Sequence, residues 1–474
     1  VTERRRYFFS GIGGSGMLPL ATLVHRQGHI VEGSDRAFDQ GRTVEKSDFL
    51  RRLGVQLFPQ DGSGVCRYDQ VLVTSAAVED TVPDVMAAKA LGAGRLRRAD
   101  LLAELFNAAP HSVGIAGTSG KSTTTAMIGL IMHRCGLEPI IVNGAFMKDF
   151  TDVADPFGSV VIDGKEHFVS EIDESDGSIA AYTASIAVLT NVARDHKPLE
   201  ELRELFGGYL ARAEARVVNL DDPESRALAA DLPKASLRSF GIEAEMADLV
   251  ARDIKHDAEG LTCLLWQAGD DRPVPLSLAV PGTHNLSNAL AALATAAFCG
   301  IPLSAGAQAL AAFSGLRRRL DIVGKARGVL VIDDFAHNPH KIQASLACLH
   351  QRPGRLLLLF QPHGFGPLHH LMDDFIDVFI EHLAPADFLI VTEPIYFGGT
   401  VNRDLSISQL VDPLVNLGRD AMVVGHRDAA MEPLLARARA GDRVVIMGAR
   451  DDELADYASR LVGMLEKGSV IFGQ

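Results

Sequence analysis

Among 474 residues the chain has a single tryptophan and only five cysteines. The cysteines, at 66, 135, 263, 299 and 348, are scattered, odd in number and form no Cys-x-x-Cys pair, which argues against a disulfide framework or a zinc cluster and leaves core thiols as their expected role. Long apolar runs are also lacking. None approaches the roughly 20 residues that cross a bilayer, and Val1-Thr2-Glu3-Arg4-Arg5-Arg6 leads into a short strand rather than a signal-peptide core, so a cytoplasmic chain with no membrane partner is expected. Positive charge is not in excess: 46 Lys and Arg against 60 Asp and Glu give a net charge of −14. That balance opposes a nucleic-acid partner, while local cation sites for small anions stay open. Repeats and low-complexity tracts are missing too, and 47% hydrophobic with 22% charged residues is the composition of a folded globular chain.

The length calls for about three domains. Apolar runs such as Tyr7 to Phe9 and Val71 to Val73 alternate with helical segments such as Met17 to Arg26 and Thr43 to Leu53, the pattern of an α/β layer. After a break at Asn107-Ala108-Ala109-Pro110-His111, a second α/β region includes a β-rich stretch from Leu237 to Val280 and closes with two alanine-rich helices. Gly315-Leu316-Arg317-Arg318-Arg319 reads as a hinge. Beyond it, strands and helices alternate from Val329 to Leu465, which predicts a parallel sheet covered on both faces.

The segment from Gly117 to Thr125 reads Gly-Thr-Ser-Gly-Lys-Ser-Thr-Thr-Thr, after an apolar run and before a helix. Glycines 117 and 120 let backbone N–H groups converge, Lys121 adds a cation, and the Ser122 hydroxyl suits Mg²⁺, so an ATP site is expected. The strict pattern has a glycine where Ile115 stands, and a glycine turn with a solvated lysine is the plainer alternative. Gly11-Ile12-Gly13-Gly14-Ser15-Gly16 matches G-x-G-x-x-G, and Glu32-Gly33-Ser34-Asp35 ends the next strand-like run where such folds place a ribose-binding acid. NAD, another diphosphate or a plain turn all fit that pattern. Glu171-Ile172-Asp173-Glu174-Ser175-Asp176, Thr190-Asn191 and Asp195-His196 end strands in the same region. A carboxylate beside a triphosphate needs an intervening cation, which nominates Glu171 and His196 with Ser122 as Mg²⁺ ligands. His284, Asn285 and Asn288 open an alanine-rich helix, and Asp333-Asp334-Phe335-Ala336-His337-Asn338-Pro339 ends a strand; Asn285 also reads as a plain helix cap and a lone His337 as structural.

Together these stretches, with Val142-Asn143-Gly144, Pro281 to Ala289, Arg317 to Asp321 and Phe360-Gln361-Pro362-His363, resemble the Mur ligases, most closely their alanine-adding branch. The resemblance implies three domains: a Rossmann-like 1–108 holding a UDP-sugar, a P-loop ATPase-like 109–315, and a Rossmann-like 316–474 for the amino substrate. It implies amide formation through an acyl phosphate in peptidoglycan precursor synthesis, with ATP and Mg²⁺ required and the protein a monomer or homodimer. By position, Lys121, Asn191, His196 and His337 would be catalytic; Gly117, Thr118, Ser119, Gly120, Lys121, Ser122, Thr123, His284, Asn285, Asn288, Arg319 and Asp334 would hold ATP. Substrate contacts would come from Gly11, Gly13, Gly14, Ser15, Gly16, Ser34, Asp35, Ser75, Asn143, Asp173, Ser175 and His363, and the metal from Ser122, Glu171 and His196.

The chain also departs from that family. Ser119 and Ser122 stand where the family usually has His and Thr, Ala193-Arg194 replaces Glu-Pro, and no lysine occurs from 198 to 233 for the carbamylation that sister ligases use. The arginines that meet the amino acid are replaced by Gly364-Phe365-Gly366-Pro367-Leu368-His369-His370. An unpaired buried carboxylate is expensive, so the amine is left open among an amino acid, a peptide as in the muropeptide-recycling branch, and another amine. A nucleotide-dependent oxidoreductase or epimerase leaves the second phosphate loop without a role; a non-catalytic nucleotide sensor is the remaining class.

Overall fold

Short runs of Val, Ile, Leu and Phe bounded by glycine turns form the strands of three sheets in the computed structural model, which describes residues 4–76, 78–193, 197–256, 260–395, 405–449, 451 and 453–467. In the first sheet β1 (Arg6–Ser10), β2 (Ile30–Ser34), β3 (Gln56–Phe58), β4 (Gln70–Thr74) and β5 (Gly94–Arg97) lie in the order β3-β2-β1-β4-β5, all parallel.

The second sheet holds β6 (His111–Ala116), β7 (Pro139–Val142), β8 (Val160–Ile162), β9 (His167–Glu171), β10 (Ile186–Leu189), β11 (Ala215–Asn219), β12 (Leu237–Gly241), β13 (Leu249–His256), β14 (Leu261–Gln267) and β15 (Val274–Leu278). Their order is β15-β14-β13-β12-β11-β10-β6-β9-β7-β8. The central strands are parallel; β8 and the β13-β14-β15 end are antiparallel. Side chains alternate between its faces as the pleat requires. Val113, Ile115, Val169 and Val188 join the helices Lys121–Arg134 and Thr283–Phe298 on one face, while Phe168, Ala187 and Leu189 join Phe206 and Tyr209 on the other. Each fully buried aliphatic or aromatic side chain contributes about 1.5–3 kcal/mol. The fully buried Tyr209 donates its hydroxyl to the Gly114 carbonyl at 2.9 Å. A Cβ at Gly114 would lie 2.2 Å from that hydroxyl oxygen and 2.5 Å from Ile172 Cδ1.

The third sheet comprises β16 (Asp321–Ala326), β17 (Val329–Asp334), β18 (Leu356–Gln361), β19 (Phe388–Thr392), β20 (Asp420–Val424) and β21 (Arg443–Gly448), in the order β16-β17-β21-β18-β19-β20. Residues 1–316, with the first two sheets, form one compact unit and 317–474 another.

The α/β class matches the sequence reading, with differences in detail. The third sheet is not wholly parallel, because β16 and β17 form a hairpin turning at Arg327-Gly328. Helix Pro83–Leu91 and the short strands β3, β5, β7 and β8 went unread, being too short to give a clear period, and helix Leu199–Arg212 was missed although Leu202, Phe206, Tyr209 and Leu210 give it a clear helical period. Cys263 and Cys348 are buried, with thiols pushed up to about 11 by burial. Cys66, by contrast, is exposed in a loop outside any element, so it is not a core thiol. Among the described residues no helix is long and apolar enough to cross a membrane.

Candidate active site

β6 runs into the glycine loop and then the helix Lys121–Arg134. Gly117 (φ +130°) and Gly120 (φ +86°) occupy backbone conformations that side chains avoid, and added Cβ atoms would lie 2.2 Å from Thr190 Oγ1 and 2.4 Å from Asn288 Oδ1. The neighbouring strand end fixes the loop: Thr190 donates to the Ser119 carbonyl at 2.7 Å, and Asn191 both accepts from the Ser119 N–H and donates to its carbonyl, each at 3.0 Å. Thr118 donates its hydroxyl to the Ala193 carbonyl at 3.0 Å, and Thr123 sits partly exposed in the helix's first turn.

The order β10-β6-β9 brings three strand ends together at this loop. Lys121 Nζ donates to the Gly117 carbonyl and to Glu174 Oε2, both at 2.7 Å. The Ser122 hydroxyl donates to Glu171 Oε2 at 2.6 Å, and Glu171 Oε1 accepts the Gly144 N–H at 2.6 Å. Asn143 is fully buried and donates to the Ser122 carbonyl at 2.8 Å. Burial works to raise the Asp173 carboxyl, but the Ser175 backbone N–H, Lys121 and Arg98 outweigh it and hold it below the usual carboxylate range. Ser175 itself is exposed. A hydroxyl and a carboxylate converging beside a phosphate loop are the hard oxygen donors that suit Mg²⁺, which keeps waters and phosphate oxygens as its other ligands. No group of three His, Cys, Asp or Glu able to hold a metal occurs among the described residues; His196 lies outside them. On the facing helix Asn288 accepts from Thr124 Oγ1 at 3.3 Å, His284 is exposed, and Asn285 is not the helix cap: it lies inside the first turn, after Gly282, and donates its side-chain NH₂ to the Pro281 carbonyl at 2.7 Å.

In the first sheet the turn from Gly11 to Gly16 follows β1. Gly11 and Ile12 donate to the Ser34 carbonyl at 2.8 and 3.0 Å, Gly13 donates to Asp35 Oδ2 at 2.8 Å, and Gly14 donates to the Gly11 carbonyl at 3.1 Å. Asp35 also caps a short helix through the Ala37 N–H. Ser15 is exposed, Gly16 lies against Arg98, and the Ser75 carbonyl accepts a turn hydrogen bond from Val78. Ser34 is fully buried and donates to Asp84 Oδ2 at 2.5 Å, which Ser10 also reaches at 2.8 Å. Glu174, Asp84 and Lys46, the last donating to the Gly13 carbonyl at 3.0 Å, were not singled out from the sequence. Only Lys46 had a visible signal, because it shares a helical face with the buried Phe49 and Leu50.

In the second unit Arg318 and Arg319 differ. Both guanidiniums lie over the Phe335 ring, at 5.1 and 4.9 Å, but Arg318 is buried, with φ +61°, and donates to the Asp451 and Gly448 carbonyls at 3.0 and 2.7 Å, whereas Arg319 is exposed. Asp334 accepts from Ser345 at 2.5 Å and from the Leu320 N–H at 3.2 Å. His337 stacks on His363 with centroids 5.0 Å apart and points Nδ1 at the Phe335 carbonyl 2.8 Å away, which makes Nδ1 the protonated nitrogen. Residues 365–370 form a short helix after Gly364.

Burial, with Lys341 adding to it, pushes the His337 imidazole from 6.5 down to about 3. Between those two values the unfolded chain binds the proton and the folded chain does not. His337 therefore supports the fold fully above pH 6.5, and that support is lost as pH falls toward about 3. His337→Asn should flatten the acid limb of the stability curve, as read by urea midpoints across that window; an unchanged slope would contradict the assignment.

Family profiles match the chain in three consecutive parts: "Mur ligase family, catalytic domain" over residues 6–109, "Mur ligase middle domain" over 115–296 and "Mur ligase, glutamate ligase domain" over 318–450. A UDP-N-acetylmuramate--L-alanine ligase of Pelobacter propionicus is 32% identical, covering 97% of this chain and 98% of its own length. One from Synechococcus sp. is 34% identical over 96% of this chain and 87% of its own length. Among solved structures, a UDP-N-acetylmuramate-alanine ligase from Thermotoga maritima shares the fold with TM-score 0.77 at 24% identity, covering 97% of this chain and 98% of that one. A murein peptide ligase from Psychrobacter arcticus does so with TM-score 0.71 at 21% identity, covering 98% of this chain and 100% of that one. With full-length likeness above 30% identity and strand ends that carry the phosphate loop and its carboxylates, the chain belongs to the Mur ligase family.

Proposed function

We propose that this protein is an ATP-dependent ligase joining an amine to the lactyl carboxylate of UDP-N-acetylmuramate, or of a similar UDP-sugar acid, in peptidoglycan precursor synthesis. The observation that carries this reading is the Ser122 hydroxyl 2.6 Å from Glu171 beside Lys121 on the glycine loop, in a chain of this family. A carboxylate oxygen of the sugar attacks the γ-phosphorus of ATP, and the bond to ADP breaks. The amine nitrogen then adds to the acyl carbon of the acyl phosphate, inorganic phosphate leaves with the C–O bonding pair, and the nitrogen loses a proton. Lys121 balances charge on the β and γ phosphates, the loop amides orient them, and Asn191 keeps the loop in place. Ser122 and Glu171, with His196, would hold Mg²⁺, which would supply further charge neutralisation. Segments 1–108, 109–315 and 316–474 are assigned to the UDP-sugar, ATP and the amino substrate.

The amine is the part where this chain differs from its relatives. Gly364 to His370 offers no arginine to an α-carboxylate, and His337 and His363 present a stacked imidazole pair at the neighbouring strand ends. A peptide amine is the second reading, favoured by that segment. Phosphate release with ATP, Mg²⁺ and UDP-N-acetylmuramate is expected with one class in a panel of L-alanine, other amino acids and L-alanyl-γ-D-glutamyl-meso-diaminopimelate. ATP binding with no release under any combination would replace the ligase with a nucleotide sensor.

A further inference from the structure

The glycine turn at the head of the first sheet has the amides of its first four residues committed internally. Gly11, Ile12, Gly13 and Gly14 all donate to groups of the protein, and one acceptor is the Asp35 carboxylate. A diphosphate arriving at this turn meets the Asp35 carboxylate and fewer amides than such turns ordinarily offer, so a side-chain cation is needed to offset that charge. Lys46 is in position to provide it. It projects from the inner face of the helix Val44–Leu53, is 7% exposed, reaches the Gly13 carbonyl at 3.0 Å and lies 5.9 Å from the Phe146 ring centroid. Lysines are almost never this buried without an electrostatic reason. The helix that carries Lys46 is held firmly: Phe49 meets Phe157 edge-on at 5.2 Å, Phe157 meets Phe146 at 4.9 Å, and Arg26 pairs with Asp155 at 2.9 Å on the same seam. At the far end of the turn Arg98 lies against Gly16.

We infer that Lys46 is the fixed cation that binds the diphosphate of the sugar nucleotide, offsetting Asp35 at the glycine turn. The inference rests on the UDP-sugar reading above. The ammonium sits within the first compact unit, so binding of the nucleotide there needs neither ATP nor the amine.

The test is titration calorimetry of the full chain with UDP, uridine and UDP-N-acetylmuramate, without ATP. Lys46→Met is expected to weaken UDP and UDP-N-acetylmuramate alike by about 10- to 100-fold, the size of one charge-assisted hydrogen bond. Uridine and ATP affinities should hold, and Lys46→Arg should recover most of the loss. Retained UDP affinity in Lys46→Met overturns the proposal even if its urea midpoint falls, because Lys46 would then be structural. A loss confined to UDP-N-acetylmuramate also overturns it, by moving the contact to the sugar's carboxylate. Should the neutral variant fail to fold, Lys46→Gln decides, since it keeps a long stem and a donor for the Gly13 carbonyl: UDP affinity lost with uridine affinity kept supports the role, and UDP affinity kept overturns it. A wild-type chain that binds neither uridine nucleotide defeats the functional reading itself, whereas wild-type binding matched by Lys46→Met defeats this inference alone.

Discussion

Lys121→Ala is expected to lower kcat by about 10²- to 10³-fold or more while leaving the fold recognisable, as measured by phosphate release with saturating ATP, Mg²⁺ and UDP-N-acetylmuramate and the active amine. The lysine reaches into the glycine loop at the Gly117 carbonyl, and preorganised charge where anionic oxygens crowd together is usually the largest single catalytic contribution. Its removal also strands Glu174, which is 6% exposed and bonded to Lys121 at 2.7 Å. Breaking a buried pair on one side costs about 3–5 kcal/mol, so part of any loss could be instability. The double variant Lys121→Ala with Glu174→Gln separates the two effects. It removes the stranded charge and should recover the urea midpoint without recovering turnover. Turnover near wild type in either variant would refute the assignment of Lys121.

Glu171→Gln should raise the Mg²⁺ concentration for half-maximal turnover by about 10- to 100-fold, since the site loses the charge on one of its hard oxygen ligands while keeping its shape. The amide can still accept the Gly144 N–H with its oxygen, as Glu171 Oε1 does at 2.6 Å. Its NH₂ then faces the Ser122 hydroxyl, where a carboxylate oxygen sits now at 2.6 Å. Ser122→Ala removes the other of the two oxygen ligands and should act in the same direction, more weakly, because no charge is lost. Because the two ligands act on one ion, the double variant should lose less than the sum of the single effects. A Mg²⁺ titration unchanged in Glu171→Gln would show that the carboxylate does not serve the metal.

What could be seen beforehand was local. The apolar run, glycine turn and helix from Val113 onward are one short continuous signal, and the structure has them as β6, loop and helix. Glu171 and Ser122 were paired in advance by chemistry, because a carboxylate near a phosphate loop implies a cation. Glu174 was beyond reach. It sits in an irregular segment after β9, and its partner Lys121 is 53 residues away in sequence. Only the adjacency of β6 and β9 brings the two together, and no periodicity in the chain encodes which strands become neighbours. The distinction between Arg318 and Arg319 was equally hidden, since it depends on a left-handed backbone at 318 that buries one guanidinium against the Gly448 and Asp451 carbonyls and leaves its neighbour exposed. The Asp84 carboxylate, gathering Ser10 and Ser34 from two strand ends, reads in sequence as an ordinary acid in the first turn of a helix.

The tyrosine under the strand that feeds the phosphate loop restricts how this lineage can drift. Alanine at 114 would press on Tyr209 and Ile172 together, so trimming either neighbour alone leaves the other collision in place. Substitution there requires three positions to change in concert, two of them passing through states that are either overfilled or hollow. Descendants of this sequence that replace Gly114 should therefore carry altered residues at 172 and 209 as well.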